Sequence, residues 1–160
     1  MTNHQQLVLL AVAALAIPIA ACRVATPISP AERPSDSTAP TPLPTELSFT
    51  SVLAKMPMQD TARVAGALGS VVVVGLLNQT APCFGLSSAA TRTANRIVLR
   101  LVATEVQGTC NTFAAGAFDY DVGVTAVAAG VYEVSVLHRV IAKDGRVIEA
   151  EVGARRVEVW

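Results

Sequence analysis

The sequence predicts an all-β fold, a small antiparallel β-sandwich, and three features support this prediction. Segments rich in valine, isoleucine and leucine follow one another without a convincing helical pattern between them. Aromatic residues make up only 4% of the 160 residues, so the core must be aliphatic, and β-branched aliphatic side chains suit strands. The sequence Lys-Asp-Gly-Arg at 143–146 is typical of a hairpin turn between two such strands.

The first two strands are predicted from their apolar patterns. Residues 70–77, SVVVVGLL, form a nearly continuous apolar run, as expected of a strand buried on both faces. Residues 95–104 alternate instead, with Ile97, Leu99 and Leu101 on one face.

Three further strands complete the sandwich. In residues 118–124 the apolar side chains share one face, and Asp119 and Asp121 lie on the other. Strands over 131–142 and 147–152 flank the turn, and residues 156–160 extend the last strand. Asp144 and Gly145 are the two expected turn residues, because glycine, and tolerably aspartate, adopts positive φ.

The start of the folded domain, predicted to span 49–160, has a less clear pattern. Asp60 is expected to cap a short helix over residues 61–68, and Gly69 to end it. Residues 22–48 precede this domain and carry six of the chain's nine prolines. This composition predicts a disordered linker. It is either a stalk that holds the domain away from a lipid surface or a disordered leader segment with no function.

An uncharged run over residues 7–21 is too short for a membrane-spanning helix, which needs about twenty residues, but it fits a secretory signal. Its last residues and the next, Ile19-Ala20-Ala21-Cys22, resemble the bacterial lipobox. The resemblance implies a lipoprotein signal peptide over 1–21, cleavage before Cys22 and acylation of that cysteine. The protein would be extracytoplasmic and lipid-anchored to the cell membrane or outer membrane. Residues 1–6 lack the usual Lys or Arg, and an ordinary signal peptide or an incidental cysteine are the alternatives.

Residues 127–136, VAAGVYEVSV, contain Gly130 and Tyr132 at a spacing that resembles the tyrosine corner of immunoglobulin-like and fibronectin-like sandwiches. The spacing is also similar to that in transthyretin-like modules. The resemblance implies that the Tyr132 hydroxyl bonds back across a corner.

Two cysteines remain beyond Cys22, and in an exported chain they predict a disulfide between Cys83 and Cys110. Two free buried thiols are the alternative. Each cysteine follows a predicted strand, so the bond would join loops at one end of the sandwich. The cysteine spacing fits no zinc pattern, and we expect no metal and no cofactor.

Few residues carry recognisable chemistry. His138 is the only histidine after Cys22, but no nucleophile motif accompanies it, and counting back from the turn pairs it with Glu151 across the strands. Asp119 and Asp121 could hold calcium, although such pairs are more often a solvated strand face. Trp160 is expected to cover an edge or end of the sandwich, and an exposed binding aromatic is the alternative. No catalytic residue is predicted.

The formal net charge of zero gives no reason to expect nucleic acid as a partner. The chain is therefore interpreted as a non-catalytic envelope lipoprotein that binds a protein or another cell-envelope component. Loops at 78–94 and 105–116 are the expected contact loops. The alternative is an inhibitor of an extracytoplasmic hydrolase such as a protease, acting through the loop near Cys83.

Overall fold

The computed structural model describes residues 39–54, 57–79, 83–106 and 115–160. The described residues form nine strands and no helix, and so contain none that could span a membrane. The predicted signal peptide, Cys22 and Cys110 lie outside the described residues. The strands are β1 Thr41–Leu43, β2 Thr45–Ala54, β3 Thr61–Ala67, β4 Ser70–Leu77, β5 Phe84–Thr93, β6 Arg96–Glu105, β7 Ala115–Val124, β8 Gly130–Ile141 and β9 Val147–Val159.

The strands form two sheets that pack face to face, so the prediction of an all-β sandwich is confirmed. One sheet has the order β1-β5-β6-β8-β9 and the other has the order β2-β7-β4-β3. Neighbouring strands are antiparallel except for β6 and β8, which are parallel. This pair is parallel because the chain crosses to the other sheet as β7 before it returns as β8.

The core forms where apolar side chains of the two sheets meet. On β7 the even-numbered residues from 118 to 124 are almost fully buried, while Asp119 and Asp121 are exposed, as the alternation predicts. Strand β6 buries Ile97, Leu99 and Leu101 in the same way. On β4 the prediction of burial on both faces was wrong. Val71 and Val73 are fully buried, but Val74 faces outward and is 40% exposed.

The helix predicted over residues 61–68 was wrong, since this segment is strand β3. Within it the side chain of Val64 is buried at 3% exposure, and its neighbours on either side are exposed, which is the period of a strand. Leu68 and Gly69 then form a two-residue turn into β4, with Gly69 at a φ of 62°. Pairing with β4 along its whole length outweighs the helix propensity of the alanines.

Two boundaries predicted from the sequence were also wrong. Strand β1 and the start of β2 lie within residues 41–48, which composition assigned to the linker. Proline is tolerated there because Pro42 lies on an edge strand and Pro44 lies between strands, where the chain changes sheets. Most of the predicted contact loop at 78–94 is strand β5.

The β8–β9 turn is one residue longer than the expected two-residue turn. The Gly145 amide donates to the Ala142 carbonyl at 2.9 Å, as in a type I turn. Gly145 itself has a φ of 83°, which is typical of the glycine bulge that closes such a turn. The extra residue shifts the pairing by one position. His138 therefore lies opposite Ala150, and the expected pairing with Glu151 was wrong.

The sandwich has two distinct ends. At one, which we call the proximal end, lie residues 39–40, the turns 68–69 and 94–95, the connection 125–129, and Trp160. At the other, the distal end, the chain leaves β2, β4, β6 and β8. The chain therefore enters and finishes the described domain at the same end.

Candidate functional site

The most distinctive polar feature is a hydrogen-bonded chain of three side chains in the core, Asp60–His138–Tyr120. His138 lies on β8 with its ring pointing toward the other sheet, and only 2% of its side chain is exposed. Its Nδ1 atom is 2.9 Å from Oδ2 of Asp60, and its Nε2 atom is 2.9 Å from the hydroxyl of Tyr120 on β7. The imidazole thus bridges the two sheets.

Further bonds fix the two outer members of this chain. The backbone amide of Asn78 donates to Oδ1 of Asp60 at 2.6 Å. The Tyr120 hydroxyl donates to the Thr61 carbonyl at 3.2 Å. The side-chain oxygen of Asn78 in turn accepts a bond from the Met58 amide at 3.3 Å, so the segment before β3 is tied down at several points.

The electrostatics of this chain oppose its use as a nucleophile or base relay. Burial, and then the negative charge of Asp60, raise the pKa of the Tyr120 hydroxyl, so this phenol stays protonated. A relay of the Asp-His type also needs a hydroxyl or thiol nucleophile that a substrate can reach. Here the atom beyond the imidazole is a phenol oxygen in the core.

The arrangement instead acts as a polar latch. It joins the segment before β3 to β7 and β8, and it satisfies polar groups that would otherwise be buried without partners. Asp60 is the member that sequence reasoning missed, because it was assigned to a helix cap. The alternation along β8 could have indicated it, because His138 shares the inward face of this strand with Val134 and Val136. A histidine on that face needs a buried hydrogen-bond partner.

We expect part of the acid sensitivity of the domain to come from Asp60. Burial alone raises the pKa of this carboxyl, but hydrogen bonds from His138 and the Asn78 amide, with the charge of His138, lower it overall below its ordinary value of 3.8. A lowered pKa in the folded state stabilises the fold above pH 3.8, and this contribution is lost as the pH falls below 3.8 toward the folded value.

The measurement is the urea midpoint followed from neutral pH to about pH 3. Asp60→Asn should flatten the acid side of this curve. Asp119→Asn, at an exposed carboxylate on β7, is the matched control and should leave the slope as it is. Equal slopes for Asp60→Asn and the unchanged chain would contradict the assignment.

The structure places the other predicted site residues apart from this latch. Tyr132 is buried, and its hydroxyl donates to the Ala128 carbonyl at 3.0 Å, the bond that the corner motif implies. Gly130 precedes it with a φ of 155°. Asp119 and Asp121 are exposed, and no cluster of three His, Cys, Asp or Glu side chains that could hold a metal occurs among the described residues.

The structure describes only one of the two cysteines that were predicted to form a disulfide. Cys83 is buried and forms no disulfide with a described residue, and its predicted partner Cys110 lies outside the described residues. The Cys83 carbonyl accepts a bond from the Val106 amide at 2.9 Å, four residues before Cys110 in the sequence. The disulfide stays a prediction.

Trp160 does not cover the sandwich as expected. Trp160 is 62% exposed at the proximal end, where its carbonyl accepts a bond from the Gly69 amide at 2.9 Å.

No protein-family model, no curated protein and no solved structure matches this chain. The functional interpretation therefore rests on the residues themselves.

Proposed function

We propose that this chain is a lipid-anchored protein of the cell envelope whose β-sandwich binds an envelope protein without catalysis. The lipobox-like sequence ending at Cys22 supports the anchor. The surface at the distal end supports binding. The single observation that carries the binding role is the stretch 143–151, in which every residue is exposed, including Val147 at 45% and Ile148 at 60%.

This stretch presents a free sheet edge. Strand β9 is the last strand of its sheet, and β3 of the other sheet packs against β9 only further along, where Gly153 contacts Ala62 and the Arg155 guanidinium donates to the Val64 carbonyl. Over 147–151 β9 pairs with β8 on one side, and no described strand pairs with its other side. An extended segment of a partner can add to such an edge through main-chain hydrogen bonds.

The edge also has side chains that can select a partner. Ile148 offers an apolar contact, and Glu149 and Glu151 place negative charge along the same strand. Glu149 lies 3.7 Å from Arg100 and 3.8 Å from Arg139, whereas Glu151 forms no ion pair with any described residue. Charged residues on an edge strand discourage random pairing, so the partner segment should carry apolar and basic residues.

The position of the polar latch supports a non-catalytic role. Its imidazole is buried, and the raised pKa of the Tyr120 phenol keeps that group from acting as a nucleophile. Nothing in that arrangement requires a substrate.

The inhibitor of an extracytoplasmic hydrolase remains the second candidate. It is favoured by one contact, the bond between the Val106 amide and the Cys83 carbonyl, which brings the ends of two distal connections together. Titration of envelope proteases with the purified full chain distinguishes the two candidates, because only an inhibitor gives a stoichiometric loss of protease activity.

Two measurements test the proposed function. The intact mass of the protein from its native membranes should correspond to a chain that begins at Cys22 with acyl groups, and it should rise by two hydrogens on reduction if Cys83 and Cys110 are joined.

A photo-reactive amino acid at position 148 should crosslink to a discrete partner in living cells. The same probe at Val74, which is 40% exposed on the outer face of the other sheet, is the control. Equal crosslinking at both positions would contradict the proposal that a partner binds at the β9 edge.

A further inference from the structure

The turns at the proximal end contain no charged residue. They consist of Leu68 with Gly69, Ala94 with Asn95, and the sequence TAVAA at 125–129. The chain enters the described domain beside them through Ala39 and Pro40. Exposed turns are normally polar, because their backbone and side chains face water. The distal β8–β9 turn follows that rule with Lys143, Asp144 and Arg146.

Two large apolar side chains project from this end. Leu68 is 78% exposed and Trp160 is 62% exposed. They lie on adjacent segments, since the Gly69 amide donates to the Trp160 carbonyl at 2.9 Å. The Gly69 carbonyl accepts the Val127 amide at 3.1 Å, which brings the 125–129 connection to the same place. We call Leu68, Trp160 and the alanines of these turns the apolar cap.

The backbone of the apolar cap is strained at two positions. Ala94 has a φ of 50° and Ala126 has a φ of 59°. This left-handed region normally holds glycine, asparagine or aspartate, because a Cβ atom is crowded there unless a short polar side chain compensates by a local hydrogen bond. Alanine at both positions keeps the turns apolar where a polar residue would relieve the strain or cap the turn.

Charged side chains begin on β9 with the exposed Glu158, two residues before Trp160, and continue further into the five-stranded sheet. Arg96, Glu133 and Arg156 lie side by side across β6, β8 and β9. An apolar tip with charged groups just behind it suits the boundary between acyl chains and headgroups, where tryptophan is enriched.

The chain itself indicates what covers this cap. Thr41 begins β1 at one edge of the five-stranded sheet, and Arg155 lies in the same row on β9 at the other edge. Four strand spacings separate the two residues, a distance of about 19 Å. The linker therefore joins the domain at the end that carries the cap. Only 18 residues separate Cys22 from Thr41, so an acyl group on Cys22 would keep the cap close to the lipid.

We propose that the apolar cap docks on the lipid surface that holds Cys22, with the indole of Trp160 among the headgroups. This inference rests on the proposed anchor at Cys22. Docking leaves the distal end, with the β9 edge, facing away from that membrane.

The experiment uses the full chain purified from its native membranes and reconstituted into vesicles of phosphatidylethanolamine and phosphatidylglycerol. Trp160 is the chain's only tryptophan, so its fluorescence reports the cap directly. Intact mass first establishes whether Cys22 is acylated. The emission is then compared in vesicles with ordinary acyl chains and with brominated acyl chains, which quench a nearby indole.

Docking predicts a shift of the emission to shorter wavelength and quenching by the brominated chains. Leu68→Glu should lower the ratio of docked to undocked protein by at least about tenfold, from the lost burial of one leucine side chain, and so remove most of the quenching. Leu53→Glu is the matched control. Leu53 is 71% exposed near the distal end of β2, and its replacement should leave the quenching unchanged.

Three results would overturn the inference. The first is an acylated protein whose Trp160 emission is identical in both vesicles, which leaves the anchor intact but removes the docking. The second is equal quenching in the Leu68 and Leu53 variants. The third is an emission shift that depends on protein concentration without vesicles, which identifies a second copy of this chain as the occupant. A mass without acyl groups would contradict the proposed anchor at Cys22, and it would also contradict the docking inference, which depends on that anchor.

Discussion

Replacing Gly66 by alanine is expected to lower the free energy of unfolding by about 3 kcal/mol or more. Gly66 lies on β3, where this edge of the second sheet crosses β9 of the first. A Cβ atom at this position would overlap the Glu158 carbonyl oxygen and lie 2.8 Å from its carbonyl carbon. The clashing atoms are backbone, so no side-chain rotation can relieve the overlap, and one strand must move.

Urea unfolding followed by circular dichroism measures this effect. Gly123→Ala is the matched control, because Gly123 is also a strand glycine. The nearest atom to its added Cβ is the Cβ of Glu46 at 3.9 Å, an ordinary contact. We expect this control to change the stability by no more than about 0.5 kcal/mol. A Gly66→Ala protein as stable as Gly123→Ala would show that β3 and β9 do not close the sandwich at this edge.

His138→Phe should destabilise the domain by about 2 kcal/mol, since it removes the bridge of the polar latch. Phenylalanine keeps a ring beside Tyr120, whose hydroxyl retains the Thr61 carbonyl as an acceptor. Asp60 loses its charged or hydrogen-bonding partner. Deleting one member of a fully buried pair costs about 3–5 kcal/mol, and the 32% exposure of the Asp60 side chain reduces this cost because water partly replaces the imidazole.

A double-mutant cycle separates the latch from simple packing. Asp60→Asn combined with His138→Phe should cost less than the sum of the single changes, because the unpaired carboxylate is then absent. Arg139→Gln is the control on the same strand. Its guanidinium points to the other face, 3.8 Å from Glu149, and this half-exposed pair is worth no more than about 0.5 kcal/mol. Strictly additive effects of the Asp60 and His138 changes would show that the two side chains do not act together.

The strands could be predicted from the sequence where alternation is clear. On β7 and β6 the period of two decides which side chains enter the core, and this information is local. The same reasoning failed on β3, where alanine-rich sequence is compatible with a helix until β4 pairs with it. It also failed on β5, whose small residues, SSAATRT, carry no apolar pattern and read as a loop.

By itself, the sequence determined the fold class, because most strands show an apolar side, and packing two sheets face to face buries such one-sided strands. It also contained the lipobox-like segment and the corner residues Gly130 and Tyr132. Only the tertiary structure decided that Asp60 meets His138 across 78 residues of chain, and that three uncharged turns from separate places in the sequence form one end of the domain. Such groupings depend on strand order and register, which are set by the packing of the whole chain and not by any local pattern.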